Sequence, residues 1–110
     1  MVTHIPLEST IVGNAVKWTN MQPRCWAMKT HGGMYGKAGI PDVIACINGY
    51  FVAGEFKRPE PAGSPVTMIQ QKTLDDLTKA RANTGVYLSV KDWQDEIEAI
   101  LVYTVGRLAA

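Results

Sequence analysis

Two acidic residues and a lysine lie where a predicted β-hairpin brings their side chains together. The dipeptide Asn48-Gly49 separates two apolar runs, and it is the strongest short-range signal for a two-residue type I′ hairpin turn. The register set by such a turn pairs Asp42 with Glu55. Lys57 follows Glu55 by two residues and projects from the same face of the strand. The sequence therefore predicts a cluster of Asp42, Glu55 and Lys57 at one end of the hairpin.

Two carboxylates paired across a buried sheet are unfavourable unless something neutralises them. Like charges on opposite strands destabilise a sheet, and buried ionised groups persist only when they are paired or bind a metal. Because oxygen ligands suit hard cations, Asp42 and Glu55 are predicted to hold Mg²⁺ or Mn²⁺. The alternative is that Lys57 neutralises Glu55 while Asp42 faces water or the adjoining loop. That alternative does not explain why a second acid stands opposite the first.

Gln70 is a polar residue at the start of a predicted helix. Together with Thr67 it fits a capping box, which is a purely structural role. Gln70 also shares an i, i+4, i+7 stripe with Leu74 and Leu77, and this stripe turns it toward the sheet. The pattern supports a capping role and a site role equally, and both remain open.

Glu8 and His31 are weaker candidates with ordinary structural explanations. Glu8 stands in the first turn of a predicted helix, where the helix dipole favours a carboxylate. His31 opens a glycine-rich loop, His31–Gly39, whose backbone N–H groups could approach a phosphate. The loop lacks the GxxxxGK[ST] pattern, so no nucleotide P-loop is predicted. A loop histidine without a partner is more often neither a general base nor a phosphate contact.

Seven predicted elements follow in the order α-β-β-β-α-β-α. Periodicity and turn signals predict helices over Leu7 to about Met21, over Thr67 to about Asn83 and after a cap at Ser89, with strands over Arg24–Thr30, Ile40–Ile47, Tyr50–Lys57 and Val86–Val90. Gly85 is expected to end the second helix. The hairpin strands are apolar on both faces and are expected to be central and buried. This order indicates an α/β domain with a small mixed sheet flanked by helices.

Length and composition limit the class of protein. With 110 residues, 46% of them hydrophobic and 19% charged, the chain is expected to form one globular domain rather than a disordered segment. No apolar run approaches the roughly 18 residues of a membrane span, and no secretory signal pattern is present. We therefore expect a cytoplasmic protein whose Cys25 and Cys46 are reduced core thiols.

The net charge of +1 hides an uneven distribution. No Asp or Glu occurs between Ser9 and Pro41, and this segment contains five basic residues or histidines, whereas the last helix is acidic. A basic stretch interspersed with Trp18, Trp26 and Tyr35 is a weak signal for nucleic-acid binding. A solvated basic face explains the same charges equally well.

The residues around the hairpin resemble a known family. Gly39-Ile40-Pro41-Asp42 followed by Gly54-Glu55-Phe56-Lys57 is similar to the PD-(D/E)xK nuclease signature. With Glu8, the His31-Gly32-Gly33 loop and Gln70, the chain resembles more narrowly the VRR-NUC branch of that superfamily, from about Glu8 to Val90. The resemblance implies a restriction-endonuclease-like core and a metal-dependent DNA endonuclease.

The resemblance also implies a role for each residue. Asp42, Glu55 and the backbone carbonyl of Phe56 would hold Mg²⁺ or Mn²⁺, and Glu8 would contact a second ion directly or through water. Lys57 would orient or deprotonate the attacking water and stabilise negative charge on the phosphorane, with Gln70 helping to position Lys57 or the water. Charge and proximity to the motif add candidate DNA contacts: Lys29, His31, Tyr35, Lys37, Arg58 and Lys72.

The resemblance further implies an oligomeric state and a substrate. Members of the family that consist of the nuclease domain alone are expected to be homodimers that act on branched DNA such as four-way (Holliday) junctions. We expect the same of this chain, in a bacteriophage or prophage setting, with no nucleotide cofactor and no membrane partner. Two alternatives stay open: a catalytically silent nucleic-acid-binding module on the same fold, and a nuclease for linear or single-stranded DNA. Trp93 and Ile97–Val105 could form the dimer interface, although core packing is the favoured role.

Overall fold

The computed structural model describes residues 4–30 and 38–109, the last five of these by their backbone alone. Three helices and four strands follow in the predicted order α-β-β-β-α-β-α, which confirms the fold class. They are α1 (Glu8–Asn20), β1 (Cys25–Lys29), β2 (Val43–Ile47), β3 (Tyr50–Phe56), α2 (Met68–Lys79), β4 (Asn83–Tyr87) and α3 (Val90–Ala109). None of the described helices has the length and apolar character needed to span a bilayer.

The four strands form one mixed sheet in the spatial order β1-β2-β3-β4. The first three strands are antiparallel, and β4 runs parallel to β3. Ile47 pairs with Tyr50, and Asn48 and Gly49 have φ values of 51° and 88°, as a type I′ turn requires. The predicted register and the central position of β2 and β3 are confirmed, but the expected burial of both faces is wrong, because Cys46 and Phe51 are exposed. The β2–β3 ladder ends at Val43 and Gly54, one pair before Asp42 and Glu55.

Helices cover both faces of the sheet, but unequally. Consecutive residues of β3 point to opposite faces: the Phe56 ring packs 5.5 Å from the ring of Trp93 on α3, whereas Glu55 accepts a hydrogen bond from Gln70 on α2. Helices α1 and α3 therefore pack on one face, and α2 packs on the other, over β3 and β4.

The main core lies between the sheet and the α1–α3 layer. Trp93 and Ile97 are fully buried there, so both are core residues, as favoured from the sequence. The indole N–H of Trp93 donates to Thr19 Oγ1 at 2.7 Å, and this hydroxyl donates in turn to the Ala15 carbonyl. These bonds satisfy the polar atoms that α1 and α3 bring into the core.

The predicted boundary between α2 and β4 is wrong. Helix α2 ends at Lys79 rather than Asn83, and Arg81 reverses the chain with a φ of 75°. Strand β4 covers Asn83–Tyr87 rather than Val86–Val90, because its parallel pairing with β3 places Gly85 opposite Gly54. A Cβ at Gly85 would lie 2.6 Å from the Tyr87 hydroxyl. Gly85 therefore makes room for a core aromatic ring and does not end the helix.

Three smaller predictions also need correction. Leu7, predicted as the first residue of the first helix, is an exposed N-cap residue, and α1 begins at Glu8. Strand β2 begins at Val43 rather than Ile40. Cys46 is exposed and Cys25 is half-buried, so the prediction of a core thiol is wrong for Cys46. It lies on the part of the sheet that α2 leaves uncovered.

Gly54 tests how tightly this core is packed. A Cβ at this position would lie 2.7 Å from Trp93 Cζ3 and 3.0 Å from Tyr87 Cε2, so Gly54→Ala should lower the free energy of unfolding by about 1–3 kcal/mol. Gly13→Ala is the control, because a Cβ there meets no atom and alanine favours the helix. Urea denaturation measures both changes, and equal stability of the two variants would contradict the packing.

Candidate active site

Asp42 and Glu55 meet at the end of the β2–β3 hairpin. Asp42 lies just beyond the ladder, and its Oδ2 accepts a hydrogen bond of 2.8 Å from the backbone N–H of Phe56. Glu55 is the next-to-last residue of β3 and is only 2% exposed. The negative charge of Asp42 acts directly on Glu55, whose pKa it raises. The two carboxylates therefore lie together, as the hairpin register predicts.

Thr30 fixes the backbone that carries Asp42, and sequence reasoning missed it. The backbone N–H of Thr30 donates to the Asp42 carbonyl at 2.8 Å, and the Thr30 hydroxyl donates to the Pro41 carbonyl at 2.5 Å. These two bonds continue the β1–β2 pairing past the end of both strands. No local sequence pattern at Thr30 predicts this role, because the role depends on the pairing of β1 with β2.

Gln70 has both of the roles that its sequence context left open. Its Oε1 accepts from the backbone N–H of Thr67 at 2.9 Å, while Thr67 Oγ1 accepts from the backbone N–H of Gln70. These are the two bonds of a capping box. The amide Nε2 of Gln70 donates to Glu55 Oε1 at 3.1 Å. One side chain thus anchors the start of α2 and orients a carboxylate of the site.

One carboxylate oxygen of Glu55 receives no hydrogen bond from an N–H or hydroxyl group. This oxygen, Oε2, is buried, and within the described parts of the chain no such donor reaches it, while the carboxyl of Asp42 lies close enough to share a proton with Glu55. Burial, followed by the charge of Asp42, raises the pKa of Glu55 from 4.5 to about 8. In the protein alone, the folded state therefore favours a protonated Glu55 at neutral pH.

Lys57 lies at the same end of β3 but does not neutralise Glu55 through a salt bridge. Its backbone N–H donates to the Tyr87 carbonyl at 3.0 Å, and its side chain is 9% exposed. Over residues 4–30 and 38–104, the ion pairs are Lys72–Asp76 and Lys91–Asp95, both on exposed helix surfaces. The lowering effect of Lys57 on the pKa of Glu55 is smaller than the raising effects of burial and Asp42. The alternative in which Lys57 neutralises Glu55 does not hold.

Glu8 lies within the electrostatic field of this site. Burial and the charge of Asp42 raise its pKa, while Lys57 and Arg58 lower it. In the described portion of the chain, no three His, Cys, Asp or Glu side chains come close enough to form a metal cluster. The close pair is therefore Asp42 and Glu55, and contact between Glu8 and an ion remains a prediction.

Three of the candidate DNA contacts lie in the described structure. Lys29 ends β1 and is exposed. Lys72 is exposed on α2, where it pairs with Asp76 at 2.9 Å. Arg58 has a structural role that the sequence did not indicate, because its Nε and Nη2 donate to the carbonyls of Pro6 and Ile5 at 2.8 Å each. The remaining candidates, His31, Tyr35 and Lys37, lie outside the described residues, as does Gly32-Gly33.

The two carboxylates fit a divalent cation. A hard cation takes oxygen ligands, and here two acidic side chains meet with one buried carboxylate oxygen that receives no hydrogen bond from a described N–H or hydroxyl group. Positive charge at this point would offset both the burial of Glu55 and its repulsion from Asp42. The donor chemistry of the site therefore agrees with the predicted Mg²⁺ or Mn²⁺.

The raised pKa of Glu55 predicts a pH-dependent stability in metal-free buffer. Between pH 4.5 and about 8 the folded state binds more protons at Glu55 than the unfolded chain does, so this contribution to stability falls as the pH rises. Glu55→Gln removes the ionisation and should be more stable than the wild type above pH 8. Urea denaturation across this range with a chelator tests it. Glu60→Gln, an exposed site, is the control, and identical pH profiles for wild type and Glu55→Gln would refute the assignment.

Two substitutions separate the charge of Asp42 from its hydrogen bond. Asp42→Asn keeps an acceptor for the Phe56 N–H and removes the charge beside Glu55, so its metal-free stability should equal or exceed that of the wild type. Asp42→Ala leaves the N–H unsatisfied and should cost about 1–3 kcal/mol. Chemical denaturation of both variants measures the difference. Equal stability of the Asn and Ala variants would show that the hydrogen bond contributes nothing.

A solved structure of another protein has the same architecture. It is described as a "VRR_NUC domain protein", it superposes with a TM-score of 0.69, and the match covers 92% of this chain and 90% of that one at 20% sequence identity. No protein-family model and no curated protein matches the sequence. The superposition confirms the fold that the motif resemblance implied, and the chain accordingly has the fold of a VRR-NUC domain protein.

Proposed function

We propose that this protein is a Mg²⁺- or Mn²⁺-dependent endonuclease that hydrolyses phosphodiester bonds in DNA. The observation that carries the proposal is the Asp42–Glu55 pair, in which a buried carboxylate oxygen receives no hydrogen bond from a described N–H or hydroxyl group, with Lys57 at the same end of β3. The fold supports it, because the superposed structure carries the name of a nuclease domain.

The divalent ion would be held by Asp42, Glu55 and the carbonyl of Phe56. When bound, it supplies Lewis-acid activation of the phosphate and lowers the pKa of water. The Asp42–Phe56 hydrogen bond fixes the carboxylate of Asp42 against the end of β3. The site is therefore preorganised by the hairpin backbone, which holds both acids before any ligand arrives.

Lys57 provides the positive side chain of the reaction. Its ammonium orients the attacking water and complements the negative charge that develops on the phosphate oxygens. Because the side chain is almost fully enclosed, its interaction with that charge is less screened than at an open surface.

Gln70 acts as a positioning residue. The amide is held at both ends, by the backbone of Thr67 and by Glu55 Oε1. This bond helps to fix the rotamer of Glu55 and leaves its second oxygen, Oε2, without a bond to α2. Gln70 also stands near the reaction centre, where it would help to orient Lys57 or the water.

The proposed substrate is branched DNA, cut by a homodimer. This part of the proposal rests on the family resemblance, which implies that stand-alone nuclease domains of this kind act as dimers that cut DNA junctions. A two-fold dimer presents two sites related by symmetry, as paired cuts in two strands require. Exposed Lys29 and Lys72 are proposed to contact the DNA backbone, with Arg58 and the loop residues His31, Tyr35 and Lys37.

A panel of labelled substrates tests the function. Four-way junction, flap, linear duplex and single-stranded DNA are incubated with and without Mg²⁺ or Mn²⁺, using wild type, Lys57→Ala and the control Lys79→Ala, an exposed lysine at the end of α2. Lys57→Ala should slow cleavage by about 10²–10⁴-fold, as the loss of a charge-stabilising or proton-transfer group does, and Lys79→Ala should change it little.

The panel also separates the alternatives. Preference for the junction supports the proposed substrate, and preference for linear or single-stranded DNA replaces it. Binding without cleavage of any substrate would identify a silent nucleic-acid-binding module. Cleavage that needs no metal, or that is equal in wild type and Lys57→Ala, would overturn the assignment of the site.

A further inference from the structure

Over residues 4–30 and 38–109, half of one sheet face is apolar and uncovered. Five residues of β1, β2 and the start of β3 form this surface, which we call the bare half-sheet: Trp26, Met28, Ile44, Cys46 and Phe51. Trp26 is 56% exposed, Phe51 44% and Met28 39%, and Cys46 is also exposed. A contiguous exposed apolar patch of this kind marks an interaction site.

The register shows that these five side chains lie side by side. Trp26 pairs with Cys46, and Cys46 pairs with Phe51 across the hairpin, so the three form one row over three strands. Met28 pairs with Ile44 in the next row. All five project from the face that α2 covers only over β3 and β4, whereas α1 and α3 pack on the opposite face. None of the described helices supplies the layer that would cover an α/β sheet here.

We propose that a second copy of this chain covers the bare half-sheet, packed face to face about a two-fold axis. The inference rests on the proposed function, of which a homodimer is part, and names the surface through which the dimer forms. Tryptophan, phenylalanine and methionine are enriched in interface cores. A standard interface buries about 800 Å² and roughly 20–30 residues per partner, so the five residues of the bare half-sheet would form the apolar core of the contact and neighbouring residues its rim.

The charge of the surface favours a second copy over nucleic acid. None of the five residues is charged, so the patch meets its own image without repulsion. Among the described residues, two cations stand nearby but are directed elsewhere. Arg24 Nε donates to Asn48 Oδ1 at 3.1 Å, and Lys29 projects from the same face as Ala27, opposite to that of Trp26 and Met28. Within the part of the chain that the structure describes, this surface therefore offers a DNA backbone no positive side chain. A self-complementary patch also closes into a dimer, whereas an unlike pair of patches would extend into a filament.

The register relates this interface to the candidate active site. Asp42 and Glu55 project from the same face as Cys46 but four residues along the strands, about 13 Å away. Each acid pair therefore lies at the edge of the proposed contact, where DNA can still reach it. The dimer would place two cleavage sites on one rigid body without occupying either of them.

Solution mass tests the interface. Light scattering should give twice 12.1 kDa for the wild type and the monomer mass for Trp26→Glu and Phe51→Glu, because the contact would bury a carboxylate among apolar side chains without a partner. Val102→Glu is the matched control, since Val102 is 77% exposed on α3 and outside the patch, and it should stay dimeric. Circular dichroism confirms that each variant is folded. A dimeric Trp26→Glu protein, or a Val102→Glu monomer, would overturn the proposal.

The reactivity of the Cys46 thiol measures whether the bare half-sheet is covered when its own residues are unchanged. In a Cys25→Ala background, maleimide should label Cys46 at least tenfold more slowly at high protein concentration than after dilution. Adding Trp26→Glu should make labelling fast at every concentration. Labelling that is fast at all concentrations and slows only when single-stranded DNA is added would show that nucleotides, and not a second copy, cover the surface.

The proposed interface and the proposed nuclease function can be refuted independently of each other. If Trp26→Glu stays dimeric while junction DNA is cleaved normally, the interface is wrong and the function stands. If Trp26→Glu becomes monomeric and no DNA is cleaved by the wild type, the interface stands and the nuclease assignment is wrong.

Discussion

The repulsion between Asp42 and Glu55 is the constraint around which this small domain is organised. The Asn48-Gly49 turn sets the register that brings the two acids together, and the core packing of β3 then places Glu55 out of reach of water. A protein gains no stability from this arrangement, since burial and Asp42 raise the pKa of Glu55 to about 8. Unfavourable electrostatics of this kind concentrate at functional sites, because a ligand of opposite charge relieves them.

The rest of the structure holds this pair in place from several directions. Thr30 fixes the backbone of Asp42, the Phe56 N–H fixes its carboxylate, and Gln70 fixes Glu55 from α2. On the other side of β3, the Phe56 ring packs against Tyr87 and Trp93, with centroids 5.5 Å away from each. Successive side chains of β3 therefore point alternately into the core and into the candidate site. A change in core packing would for this reason also move Asp42 and Glu55.

The parts of the account that were predictable from sequence depend on short-range rules. A two-residue turn fixes a register, so counting residues from the turn was enough to pair Asp42 with Glu55. The i, i+4, i+7 stripe of Gln70, Leu74 and Leu77 placed Gln70 on the helix face toward the sheet. The error at β4 arose because Gly85 was treated as a helix terminator, when its position is determined by the Tyr87 ring and by parallel pairing with Gly54. The roles of Thr30 and Arg58, and the exposure of Cys46, depend on which elements pack together, which no local pattern encodes.

The central claim is that Asp42 and Glu55 are together because they bind a divalent cation, and titration calorimetry with Mn²⁺ tests it most directly. Wild-type protein should bind the ion and release protons as it does so, since Glu55 is largely protonated at neutral pH before binding. Asp42→Asn, which keeps the hydrogen bond to Phe56, should lose most of this binding while remaining folded. Equal Mn²⁺ affinity in the two proteins, or no binding by the wild type, would contradict the account.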